Sequence, residues 1–233
     1  MRRSRLLAVM AAGLAALTVS VAVPAQAHDP RGTANDPHMK KFTSADDANG
    51  DPTAFISYRR VIGGDAPGSP QPKALRMETA ATSTGFAGTW VRNVGIRGRA
   101  LGDVDRIAFK TRGPLGAGAP RLSVRLDSEG PANWLFLSAF HCHQDAAGPW
   151  QRALFTASRT ADPTCEIYTG TGAHYVTDET SSAWEKLVEA EGADTIVKQV
   201  WLVQDEGPAV VWVDDIRLDG VLFAGPTVNV HSH

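Results

Sequence analysis

The sequence predicts an all-β protein, folded as an antiparallel β-sandwich with one short helix. Short runs typical of strands recur at regular spacing after residue 53. In Arg121–Asp127, apolar Leu122, Val124 and Leu126 alternate with polar residues, the pattern of a strand with one buried face. Prolines fall between these runs, as expected because proline cannot donate to a central ladder. The strand–helix alternation typical of a parallel sheet does not occur.

We predict nine or ten strands from these runs, at residues 54–62, 73–79, 86–94, 104–112, 121–127, 134–142, 150–157, 164–168, 195–204 and 209–218. The run 134–142 is apolar on both faces, which indicates a central strand. A single helix is expected to begin at Ser182, where Glu185 completes a capping box, and to end before Gly192. We therefore predict a sandwich domain over residues 53–224, with a jelly roll as the favoured form.

The first residues have the features of an export signal. Arg2, Arg3 and Arg5 precede an apolar run over residues 6–23, and the small-x-small sequence at 25–27 matches a signal-peptidase site. We predict a signal peptide over residues 1–27, a flexible segment over 28–52 and a tail over 225–233. The mature protein is expected to be secreted and extracellular. No later apolar run reaches the ~20 residues of a membrane span, so we expect no membrane partner after cleavage.

The charge balance disfavours nucleic acid as a partner. The chain carries 23 Lys and Arg against 25 Asp and Glu, a net charge of −2 at pH 7. No Lys/Arg block or basic stripe occurs, whereas duplex binding needs cations that neutralise phosphates.

The two cysteines, Cys142 and Cys165, are predicted to form a disulfide, because an even pair in an oxidising compartment usually does. The alternative, a metal-binding or nucleophilic cysteine, is less favoured. The sequence has no CxxC, and two thiols alone make a poor zinc site.

Two stretches resemble a known family. Residues 211–220, VWVDDIRLDG, are similar to the closing strand of jelly-roll carbohydrate-binding modules, and residues 64–77 resemble their Gly-rich loop and following strand. The chain as a whole is similar to secreted β-sandwich proteins of actinobacteria. The resemblance implies a glycan partner. It also implies a structural calcium between the N-terminal loop and the last strand, with Asp215 as one ligand.

Asp47, Asn49 and Asp51 provide oxygen side chains at alternate positions, which suit calcium. Together with Asp215 they form the predicted metal set, and no other cofactor is expected. The alternative is a solvated Asp/Asn/Gly turn.

Histidines offer further candidate metal ligands. Strand alternation would place His141 and His143 on one face, where they could bind zinc or copper with His174 as a third ligand. The alternative is a strand end at which His143 meets water. His28, the expected first residue of the mature chain, could bind copper through its amine and ring. The alternative is an accident of the cleavage site.

The tryptophans are the candidate ligand-binding residues, because exposed aromatic faces can stack on sugar rings. Trp150 is the first choice, since it follows Gly148 and Pro149 in a predicted loop, and Trp90 and Trp134 are the next candidates. Trp184, Trp201 and Trp212 are expected in the core. For the three ligand-binding candidates, the alternative is that the ring packs in the core.

The sequence therefore predicts a secreted binding protein whose partner is a glycan. No G-x-S-x-G, H-E-x-x-H or paired-carboxylate motif identifies catalytic residues. A polysaccharide-active enzyme is one alternative. A structural domain that packs against envelope or matrix proteins is the other.

Overall fold

The computed structural model describes residues 39–43, 54–60, 73–79, 85–91, 96–116, 118–127, 133–143, 148–205 and 209–223. The predicted signal peptide, His28, the 47–51 loop and the tail over 225–233 lie outside the described residues.

The described chain contains fifteen strands, one α-helix and two short 3-10 turns. The strands are β1 (Met39–Thr43), β2 (Phe55–Arg60), β3 (Lys73–Thr79), β4 (Ala87–Val91), β5 (Arg106–Arg112), β6 (Arg121–Asp127), β7 (Trp134–Ser138), β8 (Cys142–His143), β9 (Gln151–Thr156), β10 (Thr164–Cys165), β11 (Ile167–Thr169), β12 (His174–Tyr175), β13 (Ile196–Gln204), β14 (Ala209–Leu218) and β15 (Val221–Phe223). The helix, α1, covers Ala183–Glu191, and the 3-10 turns are Leu101–Asp103 and Ala139–His141.

The strands form two layers. Sheet A has the order β1-β4-β13-β6-β7-β11-β12. Sheet B has the order β2-β3-β14-β5-β9, with β15 paired to β14, and β8 and β10 form a separate ribbon. Strand pairs in both sheets are antiparallel, which confirms the predicted all-β sandwich.

Alternate side chains from the two sheets fill the core. On β6, Leu122, Val124 and Leu126 are buried, and on β5 the same holds for Ile107 and Phe109. These residues belong to one apolar cluster that includes both layers. Their burial explains why the alternating runs in the sequence became strands.

Helix α1 begins and ends as predicted. The Ser182 hydroxyl accepts a hydrogen bond from the Glu185 backbone N–H, and the Glu185 carboxylate accepts one from the Ser182 N–H, so the capping box is formed. Gly192 follows its last turn with φ 89°, a conformation that favours glycine. Trp184 and Leu187 reach the core, and the helix packs on β9, β11 and β12. It thus adjoins strands of both sheets.

Three local features differ from the sequence prediction. The strand expected over 134–142 stops at Ser138, whose hydroxyl accepts a hydrogen bond from the Phe140 N–H and starts a 3-10 turn. Strand β1 lies within the segment expected to be flexible, because it pairs with β4 through residues distant in sequence. The short strands β12 and β15 were not predicted either, since two or three residues carry no periodic signal.

Candidate functional site

One register row crosses six adjacent strands of sheet A. The pairings between β4, β13, β6, β7, β11 and β12 are continuous along this row. Five of its six members are aromatic: the row runs Trp90, Trp201, Ser123, Phe136, Tyr168, His174.

The row lies on the outer face of sheet A. On β6 the side chains of Leu122 and Val124 point into the core, so Ser123 between them points outward. Residues opposite each other across a ladder point to the same side, so the whole row points outward with Ser123. Trp90 is 37% exposed and Phe136 and Tyr168 are half-buried. The outer face of sheet A therefore presents an aromatic row to solvent.

Three tryptophans form a cluster at one end of this row. The Trp90 and Trp201 rings stack with centroids 5.8 Å apart at 21°. Trp134, from the neighbouring row on β7, meets Trp201 edge to face at 5.1 Å and 64°. Ser123 on β6 lies between Trp201 on β13 and Phe136 on β7 in the register. Its small side chain is covered, at 4% exposure. Such ring pairs stabilise one another beyond their buried area and fix the orientation of the rings.

A cation borders the middle of the row. The Arg121 guanidinium lies 5.1 Å from the centre of the Phe136 ring, a cation–π contact. The same guanidinium donates two hydrogen bonds to the carboxylate of Asp205. This fork-shaped pairing holds a polar, hydrogen-bonding group beside the aromatic surface.

The other end of the row is a ladder of stacked rings. His174 stacks on Tyr168 at 4.1 Å and 15°, and His141 lies over Tyr168 at 4.2 Å. Glu166 bridges two histidines at this end of the row. Its Oε1 accepts a hydrogen bond from His143 Nε2 at 3.0 Å, and its Oε2 accepts one from His174 Nε2 at 2.9 Å. This end of the row is therefore polar and titratable.

Two pKa values reflect this arrangement. Burial by itself would raise the pKa of Glu166, but the hydrogen bonds from His143 and His174 hold it below its ordinary value. The pKa of His141 is lowered, mainly because burial disfavours the imidazolium, although the Glu166 carboxylate acts in the opposite direction.

The disulfide supports this end of sheet A. Cys142 and Cys165 are bonded, as predicted, with their Cα atoms 4.0 Å apart across the β8–β10 pair. The next residues along both strands are His143 and Glu166, and the Glu166 N–H donates to the His141 carbonyl at 2.9 Å. The covalent bond thus holds the 3-10 turn beside Glu166.

The predicted tryptophans are distributed unevenly. Trp90 and Trp134 come together, and the residue that joins them is Trp201, which the sequence indicated as a core residue. Trp150 lies just before β9 of sheet B, and its indole N–H is buried without a hydrogen-bond partner among the described residues. Trp184 is buried as predicted, at 3% exposure. Trp212 is half-buried on β14.

Three of the four predicted calcium ligands, Asp47, Asn49 and Asp51, lie outside the described residues. Of the calcium set, Asp215 alone is described. Its two oxygens contact Lys110 Nζ at 3.0 Å and Arg217 Nε at 2.7 Å, contacts that a bound Ca²⁺ would have to displace. Calcium binding by Asp47, Asn49, Asp51 and Asp215 stays a prediction.

The histidine prediction is only partly matched. His141 and His143 do not share a strand face, because His141 ends the 3-10 turn, yet both lie near His174 around Glu166. Within the described ranges, no group of three or more His, Cys, Asp or Glu is arranged to hold a metal ion.

None of the described helices is both long enough and apolar enough to cross a membrane.

Solved structures give weak likenesses. A β-1,2-glucanase from Parabacteroides distasonis aligns at 15% identity and a TM-score of 0.38, over 79% of this chain and 23% of the glucanase. SGBP-B from a complex xyloglucan utilization locus in Bacteroides uniformis aligns at 12% identity and a TM-score of 0.30, over 77% of this chain and 49% of that protein. The chain thus spans less than half the length of either. No family model matches the chain, and no curated protein matches it.

Proposed function

We propose that this protein is an extracellular glycan-binding β-sandwich domain, and that the aromatic row of sheet A is its binding surface. The observation that carries the proposal is the continuous register of Trp90, Trp201, Phe136, Tyr168 and His174 across six strands. Aromatic rings offer apolar faces on which the carbon–hydrogen faces of sugar rings can stack.

The dimensions of the row suit an extended ligand. Its ends are five strand spacings apart, or roughly 24 Å at about 4.8 Å per strand. A chain of several sugar units could lie along such a line and meet rings in succession. Polar groups beside the rings, such as Arg121 and Glu166, supply the hydrogen-bonding partners that sugar hydroxyls need.

Two further features support the jelly-roll form and the extracellular location. Strands β13 and β14 each insert between early strands of their sheets, β4 and β6 in one and β3 and β5 in the other, an order that favours the jelly-roll form. The Cys142–Cys165 disulfide favours an oxidising, extracellular compartment. Structural calcium in the N-terminal loop, held by Asp47, Asn49 and Asp51, belongs to the same proposal without Asp215, whose carboxylate contacts Lys110 and Arg217.

The test is affinity electrophoresis of the purified chain through gels that contain neutral polysaccharides, including β-1,2-glucan, xyloglucan, xylan and mannan. Trp90→Ala removes an exposed ring of the row. Its matched control is Trp212→Ala, which removes a half-buried tryptophan from the outer face of sheet B.

We expect retardation by at least one polysaccharide, lost in Trp90→Ala and kept in Trp212→Ala. The gels are run with calcium and with EDTA, so that a loss of fold in the metal-free state is separated from a loss of binding. Absence of retardation by every polysaccharide in both conditions, or equal retardation of the two variants, would contradict the proposal.

A further inference from the structure

A second surface feature lies on the outer face of sheet B, on the opposite side of the molecule from the aromatic row. It is an open cavity of about 320 Å³ between β5, β9 and β14. We call it the cationic groove, because its charged lining consists of Arg106, Lys110, Arg152, Arg217 and Asp215.

Strand register explains how these side chains meet. Ile107 and Phe109 of β5 point into the core, so Arg106, Ala108 and Lys110 point outward. Lys110 is opposite Arg152 on β9, and Ala108 is opposite Arg217 on β14. The small Ala108 lies between long cationic side chains, which leaves room for the cavity.

The groove concentrates positive charge in a protein whose net charge is −2. Four cationic residues line it against one carboxylate. The pKa of Arg152 is lowered, first by burial and then by repulsion from Arg106, while the carboxylates of Asp162 and Asp215 act in the opposite direction. Arg106 and Arg152 are therefore close enough to repel one another, and an anion bound between them would relieve that repulsion.

Asp215 organises two of the four cations. Its Oδ2 contacts Lys110 Nζ at 3.0 Å, and its Oδ1 accepts a hydrogen bond from Arg217 Nε at 2.7 Å. Asp215 lies in a β-bulge, where the β14–β5 register shifts between Asp214 and Arg217, and has φ 49°. Bulges re-aim side chains, and unusual backbone conformations concentrate at functional sites. The bulge thus orders the cationic side chains before any ligand arrives.

We propose that the cationic groove is a binding site for an oxyanion group, a carboxylate or a sulfate. Guanidinium groups match such groups because their planar forks donate paired hydrogen bonds. Asp215 uses one of the N–H donors of Arg217, and a guanidinium carries five. The oxyanion could be a free ion or belong to an acidic sugar. The volume, at the lower end of the range for small-molecule sites, exceeds what a single ion fills and favours the sugar.

The test is isothermal titration calorimetry of the full chain at low ionic strength with three probes: sodium glucuronate, sodium sulfate and uncharged glucose. The variants are Arg152→Gln and the more exposed Arg106→Gln, with Arg97→Gln as the control. Arg97 is an exposed arginine outside the groove. Circular dichroism and the melting temperature establish that each variant is folded.

We expect glucuronate to bind more tightly than sulfate, and glucose not to bind. Each groove variant should weaken anion binding at least tenfold, whereas Arg97→Gln should bind as the unaltered protein does. Equal affinity for sulfate and glucuronate would assign the site to free anions, which keeps the oxyanion chemistry. No binding of either anion, or unchanged binding in the folded groove variants, would overturn the proposal. Since Trp90 is untouched, these results are independent of glycan binding on sheet A.

Discussion

On sheet A, outward positions of adjacent strands carry Trp90, Trp201, Phe136 and Tyr168, whereas on sheet B the outward positions of β5, β9 and β14 carry four cations. The inner faces of the same strands are alike, since both contribute aliphatic and aromatic side chains to one core. Core packing therefore uses every second side chain of each strand, and the side chains between them determine the surface chemistry. We accordingly propose different ligands for the two faces, a glycan on sheet A and an oxyanion on sheet B.

The disulfide offers the strongest way to separate the two faces. Replacing Cys142 and Cys165 with serine should cost about 3 kcal/mol in the free energy of unfolding, as expected for a closed loop of this length. The 3-10 turn beside Glu166 should loosen, so glycan binding should weaken while anion binding on sheet B persists. Urea denaturation followed by tryptophan fluorescence measures the first effect, and calorimetry measures the second. An unchanged unfolding midpoint would be inconsistent with a stabilising role.

Phe136 tests whether the aromatic row acts as one surface. Phe136→Ala should separate the tryptophan cluster from Tyr168 and weaken binding of long oligosaccharides by up to about tenfold, given ~0.5–1.5 kcal/mol per aromatic contact. Short oligosaccharides, which need only one end of the row, should bind almost as before. Calorimetry with a length series measures this difference. Val210→Ala, an exposed position on sheet B, is the control. An equal loss of affinity for oligosaccharides of every length would mean that long ligands do not span both ends of the row.

Salt should distinguish the faces without any mutation. Raising sodium chloride should weaken anion binding in the cationic groove several-fold, because the charges are partly exposed and are screened. Neutral-glycan binding to the aromatic row should change little. Titrations at low and high salt measure both constants, and a parallel decline would indicate that the two ligands share one surface.

The smallest expected effect is the pH dependence at the histidine end of sheet A. The pKa of Glu166 is lowered in the folded state, so its contacts with His143 and His174 stabilise the fold above the ordinary glutamate value near 4.3. This contribution is lost as pH falls through the lower folded pKa. Glu166→Gln should flatten the dependence of unfolding free energy on pH below the ordinary glutamate pKa, whereas Glu189→Gln on the exposed side of α1 should leave it unchanged. Identical pH profiles for both variants would be evidence against this assignment.

The sequence predicted elements whose signal is local. Alternation in Arg121–Asp127 and the Ser182 capping box each depend on neighbouring residues, and both are confirmed. The disulfide prediction needed only the count of cysteines and the expected compartment, and it too is confirmed.

The candidate surfaces depend on register between strands distant along the chain, which no local pattern encodes. Trp201 lies in an apolar run that is typical of a buried strand, yet its ring faces outward beside Trp90, more than a hundred residues earlier. Arg106, Arg152 and Arg217 are equally scattered, and β5, β9 and β14 bring them together.

The bulge at Asp215 has a consequence for the length of β14. Before it, the odd-numbered Val211 and Val213 point into the core, and after it the even-numbered Ile216 and Leu218 do. The extra residue thus reverses the parity of the strand. If β14 kept its present length but paired regularly through this point, Arg217 would turn towards the interior and its apolar neighbours would be exposed, so the bulge is what lets one strand bury Val213 and Ile216 together.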